Sequence, residues 1–92
     1  MRTEATLPKR ADVPWRNIDG NVIVVRPKEG ITYPLNNVAT RIWLLSDGTR
    51  SVNEIIKTLA EEFEGDAGVI QEEAIQFLKE LETASLVTYK ER

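Results

Sequence analysis

The sequence predicts an α+β domain in which a three-stranded antiparallel β-meander precedes three α-helices. Two features carry that prediction. Residues 13–35 set β-branched and aromatic runs between an Asp-Gly and a Pro-x-x-Gly turn. Residues 36–85 instead repeat apolar side chains at three- and four-residue spacing, interrupted twice by short polar stretches that contain glycine. The chain of 92 residues has the size of one domain.

Residues 1–12 are polar, carry Pro8 and show no period, so they read as a flexible N-terminal arm ahead of a domain over 13–92. Residues 13–18 and 22–26 flank Asp19-Gly20, whose residues tolerate the positive φ of a type I′ hairpin turn. The unbroken run of Val22, Ile23, Val24 and Val25 predicts a central strand covered on both faces, with Trp15 and Ile18 packing across it. Pro27 and Gly30 bound a second turn. Beyond it Ile31, Tyr33 and Leu35 share one face of a third strand, and Thr32 and Pro34 share the other. Pro34 has no N–H to give a ladder, so this strand belongs at the sheet edge.

The first helix starts where Asn36 or Asn37 can cap free amides, and it buries Val38, Ala39, Ile42, Trp43 and Leu45. Asp47-Gly48 stops it, through the left-handed conformation that glycine takes at a helix C-terminus. Ser51 and Glu54 have capping-box spacing and open a second helix whose buried stripe is Val52, Ile55, Ile56, Leu59 and Phe63. Asp66 caps a third helix over 66–85, with Ile70, Ala74, Phe77, Leu78 and Leu81 on its core face. Ile75 lies off that arc beside Gln71 and Glu82. Residues 86–89 read as a short extended finish. The whole is winged-helix-like, with its sheet placed before its helices.

Catalysis finds little to work with. The chain has no histidine and no cysteine, which removes the commonest general base, thiolate chemistry, disulfides and the usual metal ligands. Ser51 and Asp47 have cap and turn positions. The runs Glu61-Glu62 and Glu72-Glu73 lack the alternating oxygen ligands of a calcium loop, so no metal or cofactor is expected. No apolar run suits a signal peptide or a membrane span, and the expected location is cytoplasmic.

Charge tests the nucleic-acid reading that a helix-turn-helix invites. Residues 1–50 carry eight Lys/Arg and five Asp/Glu, whereas residues 51–92 carry four and ten. The third helix has Asp66, Glu72, Glu73, Glu80 and Glu82 against Lys79. Phosphate recognition runs on Lys and Arg, so both candidate recognition helices are repelled by DNA.

The edge strand remains. Its unpaired N–H and C=O groups can take a peptide as an added strand, with pockets for alternate side chains giving specificity. The candidate peptide-binding residues are Ile31, Thr32, Tyr33, Pro34 and Leu35 on the strand, and Gln71, Ile75, Leu78 and Glu82 on the third helix. Thr32 should share the outward phase of Pro34 and bond the guest. Ile75 is either an apolar wall of the groove or second-layer core, and Tyr33 either covers the core or meets the guest. Arg16, Arg26, Lys28 and Arg41 form a basic side that either draws an acidic peptide or is simply a solvated surface. The site requires that residues 86–89 do not fold back onto the third strand.

These residues also carry a resemblance. The third strand followed by Leu35-Asn36, Ala39, Ile42-Trp43, Leu45, Asp47-Gly48, Ser51-Val52 and Glu54-Ile55 resembles the signature of the PqqD-like family, small domains also known as RiPP recognition elements. The hairpin before it and the ending Phe77-Leu78, Leu81 and Leu86-Val87 are similar too, so the likeness spans residues 13–89. It implies a non-catalytic peptide chaperone. Such a domain binds the leader of a ribosomally made precursor peptide along strand three and helix three, and presents it to a modifying enzyme. That enzyme is commonly a radical SAM protein, and in pyrroloquinoline quinone biosynthesis the cargo is the cofactor's own precursor peptide. Rival expectations are a winged-helix regulator and a protein–protein domain that dimerises through its edge strand. Monomer and homodimer both stay open.

Overall fold

The computed structural model describes residues 6–91. In chain order the elements are β1 (Thr6–Arg10), β2 (Trp15–Ile18), β3 (Asn21–Arg26), β4 (Ile31–Pro34), α1 (Asn37–Leu45), α2 (Val52–Glu62), α3 (Ala67–Thr83) and β5 (Val87–Glu91). The meander expected from the turn residues is present as an antiparallel sheet in the order β2-β3-β4, and three helices follow it. Asp19 and Gly20 both take positive φ, 54° and 91°, as a hairpin turn between β2 and β3 demands.

The arm predicted over 1–12 is corrected for its described part. β1 pairs antiparallel with β5, Leu7 opposite Lys90 and Arg10 opposite Val87, and Thr6, Leu7 and Pro8 are all buried. No period was visible because Pro8 and the charged Lys9-Arg10 mask a strand whose partner lies some eighty positions on. Residues 1–5 of that arm lie outside the described residues.

β1 does more than cover the core. Arg10 Nη1 donates to the carbonyls of Trp43 and Leu44, both at 2.9 Å, and so places a cation on the C-terminal carbonyls of α1. The guanidinium also sits 5.6 Å from the centre of the Trp15 ring. The α1–α2 connection runs along the other edge of β1, where Arg10 N donates to Ser46 O at 2.7 Å and Gly48 N donates to Pro8 O at 2.9 Å. Gly48 has φ +84°, and a Cβ there would touch the Lys9 and Lys90 side chains at 3.4 Å. The end of α1 differs slightly from expectation: the helix stops at Leu45, and Ser46 closes it by donating Oγ to Ile42 O at 2.6 Å. Gly48 shapes the bend that follows.

The other caps are as read. Asn36 Oδ1 accepts from Ala39 N at 2.8 Å. Ser51 and Glu54 form a complete capping box. Asp66 Oδ1 accepts from Gly68 N and Val69 N at the start of α3. One core unites the elements: Val22 and Val24 from β3, Ile42 and Trp43 from α1, Ile55 and Leu59 from α2, Ala74, Leu78 and Leu81 from α3, and Leu86 after it. β3 is central but covered on one face only. Ile23 and Val25 stay half-exposed and Ile18 is 50% exposed, because no helix crosses the outer side of the sheet. Trp15 reaches the core with its edge, 6.4 Å from the Trp43 ring and nearly perpendicular to it.

Candidate functional site: an open strand edge beside the third helix

β4 borders the sheet, and no strand pairs with its far side among the described residues. β5, the segment able to fill that edge, pairs with β1 instead. The phase of β4 follows from two hydrogen bonds. Val25 N donates to Pro14 O on the β2 side of β3, and Leu35 N donates to Val22 O on the β4 side, at 2.8 Å. Bonded and non-bonded positions alternate in an antiparallel pair. Tyr33, opposite Val24, and Leu35, opposite Val22, therefore turn their main chain toward β3. Thr32, opposite Val25, and Pro34, opposite Ile23, turn theirs outward. The edge offers a guest the Thr32 N–H, the Thr32 C=O and the Pro34 C=O. At about 1 kcal/mol per bond, these fall short of an association cost of about 4 kcal/mol or more. Apolar contacts must supply the remainder.

Apolar surface lies open near both ends of the edge. Tyr33 is the cross-strand partner of the buried Val24, so Tyr33 and Ile31 point to the side on which α3 lies. Arg26, opposite Ile31, donates from Nη1 to the Ala84 carbonyl at the end of α3 and fastens the start of β4 there. Past the other end of β4, the first turn of α1 meets the middle of α3 around a cavity of about 720 Å³. Val38, Ala39, Ile42, Ile75 and Phe77 provide its apolar surface; Asn36, Gln76, Glu72, Glu73 and Glu80 provide its polar rim. A second cavity of about 270 Å³ shares Gln76 and Glu80 with the first and continues past Thr83 to Ala84. The strand and the helix thus run in opposite directions along one trough. Ile31, 42% exposed, and Val69, 51% exposed, are large apolar side chains left open on β4 and α3.

Of the residues singled out from sequence, Ile31, Thr32, Tyr33 and Pro34 make up the open edge strand, and Ile75 lines the large cavity. Leu35 and Leu78 are 7% and 2% exposed and belong to the core. Gln71 and Glu82 do not line either cavity. At 100° per residue they project roughly opposite to Glu73 and Glu80. Ile75, which the sequence set beside them, does line the large cavity. Phe77, assigned to the core stripe, is half-buried at its margin and reaches the cavity, and Glu73, Gln76 and Glu80 on the same flank were missed. Their signal was present in the four-residue steps Glu73–Phe77 and Gln76–Glu80, flanking the core arc on the side of Phe77.

Two of the four residues of the basic side are engaged within the fold. Arg41 holds both Glu62 oxygens, at 2.6 and 2.8 Å, and Arg26 is bound to Ala84 and Glu29. The cavity rim carries carboxylates instead. Among the described residues no group of His, Cys, Asp and Glu is gathered as a metal site requires, and no helix is long and apolar enough to cross a membrane.

Known proteins share the fold. The model of the family described as coenzyme PQQ synthesis protein D (PqqD) matches residues 21–87. A structure of TbiB1 in complex with the TbiA(beta) leader peptide superposes with a TM-score of 0.74 at 26% identity, covering 86% of this chain and 93% of that one. A structure of lasso peptide synthetase B1 complexed with the leader peptide shares the fold, with a TM-score of 0.73 at 14% identity over 91% of this chain and 98% of that one. No curated protein matches the chain.

Proposed function

The chain belongs to the PqqD family, and on that premise we propose that it is a RiPP recognition element: a non-catalytic adaptor that takes up the leader of a ribosomally made precursor peptide and presents it to a modifying enzyme. The observation that carries this reading is the outward phase of Thr32 and Pro34 on an open sheet edge, next to an apolar-floored cavity. The leader adds to β4 as a further strand and sets alternate side chains against α3. The similar TbiB1 structure, solved with a leader peptide, supports a leader as the ligand. The enzyme served is of the radical SAM class, the usual partner of the family, and the adaptor works in the cytoplasm where precursor peptides are made. The absence of histidine and cysteine suits a role in holding rather than transforming the peptide.

The test is an NMR titration of the labelled protein with a candidate leader peptide. Amides of Ile31, Thr32 and Tyr33 and of residues 73–80 shift together when the leader docks. Shifts confined to α2 or to the β1–β5 pair would contradict the reading.

A further inference from the structure

Building on that leader-peptide reading, we infer that the trough selects a peptide with one apolar side chain flanked by basic side chains two positions away on each side, all three facing α3. Glu72, Glu73 and Glu80 line the large cavity. None of them belongs to the ion pairs among the described residues, which join Arg26 to Glu29, Arg41 to Glu62 and Arg50 to Asp47. Arg26 and Arg41 are already committed, Arg26 to the Ala84 carbonyl and Arg41 to both oxygens of Glu62, and no arginine lines the large cavity. Lys79 is the single cation of α3 and lines only the smaller cavity. The carboxylates are too dispersed to hold a metal ion. They are spaced for separate cations around the apolar surface of Val38, Ile42 and Phe77.

The spacing can be worked out. Glu73 and Glu80 are seven residues apart on a helix, about 10 Å along its axis at 1.5 Å per residue. Side chains that share a face of an added strand recur at about 6.8 Å, so the outer two of three lie about 14 Å apart. The long stems of Lys and Arg absorb the difference. The central side chain meets the apolar floor, and the flanking cations meet Glu73 and Glu80. An acidic leader would put like charges in the same trough, where repulsion costs it both affinity and association rate.

Two synthetic peptides test this by fluorescence anisotropy, each with threonine at all positions except a central leucine and its second neighbours, which are lysine in one and glutamate in the other. The lysine peptide should bind about tenfold more tightly, with the margin shrinking as salt is raised. The double variant Glu73→Lys/Glu80→Lys, whose substitutions are on the exposed face of α3, should reverse the preference. Equal binding of both peptides, lost in Thr32→Pro, would overturn the charge proposal and leave the strand-addition reading standing. Binding of either peptide that is indifferent to Thr32→Pro, or no binding of either, would overturn both.

Discussion

The buried Thr40 hydroxyl ties β3 to the end of β4: Oγ1 accepts the Val22 amide at 2.9 Å and donates to the Leu35 carbonyl at 3.4 Å. Leu35 N already donates to Val22 O, and the hydroxyl stands in for the reciprocal bond from Val22 N to Leu35 O, coupling the register of the edge strand to the first turn of α1. Thr40→Val keeps the shape and strands a buried amide. It should cost about 1–3 kcal/mol in urea unfolding, and amide exchange should quicken at Leu35 before it does at Leu78.

The outward phase of β4 makes opposite predictions for adjacent substitutions. Thr32→Pro removes the outward N–H without touching a bond to β3, so the fold should persist while leader affinity falls by about fivefold or more. Pro34→Ala restores a donor pointing the same way and should tighten binding by about fivefold, the equivalent of one further backbone bond. Paired calorimetric titrations read both. A Pro34→Ala variant that binds no better would place the guest elsewhere than on this edge.

Acid should loosen the contact between α1 and α2. The hydrogen bonds from Arg41 hold the Glu62 carboxyl below its ordinary value of 4.5. The Thr49 hydroxyl and amide, with Arg50, likewise lower Asp47. A carboxyl depressed in the folded state adds stability above its unfolded pKa and loses it as pH falls through the folded one. Stability should therefore decline below about pH 5. Glu62→Gln should flatten part of that decline in denaturant melts taken between neutral and acidic pH. The raised Arg41 guanidinium titrates far above this window and adds no slope to it.

Removal of residues 1–10 should destabilise the whole protein rather than trim a loose end. It strips Leu7 and Pro8 from the core, bares β5 and takes Arg10 from the carbonyls of Trp43 and Leu44. Burial of Leu7 alone is worth about 1.5–3 kcal/mol. Thermal melts of the shortened chain check this; an unchanged midpoint would show that β1 contributes nothing.

Local chemistry was readable in the amino-acid order wherever it acted over short range. The Asp19-Gly20 turn, the Asn36 cap and the Ser51–Glu54 box depend on neighbours a few positions apart, and each took its expected form. The edge position of β4 was legible because proline lacks a donor. Long-range pairing was not. β1 meets β5 across almost the full chain, and nothing near Leu7 reports that Val87 and Tyr89 are waiting for it. On α3, periodicity located the buried stripe but could not say which of its flanks borders the trough, since that depends on how the helix lies against β4. Glu73, Phe77 and Glu80 line the large cavity, whereas Gln71 and Glu82 do not.

The pairing of Thr6 with Glu91 has an architectural corollary. Antiparallel partners stand about 5 Å apart, so a host polypeptide could leave and resume at a single spot, carrying this unit as an insert with no spanning linker. Bridging those two positions with a few residues and reopening the chain between α2 and α3 should yield a rearranged molecule that still folds.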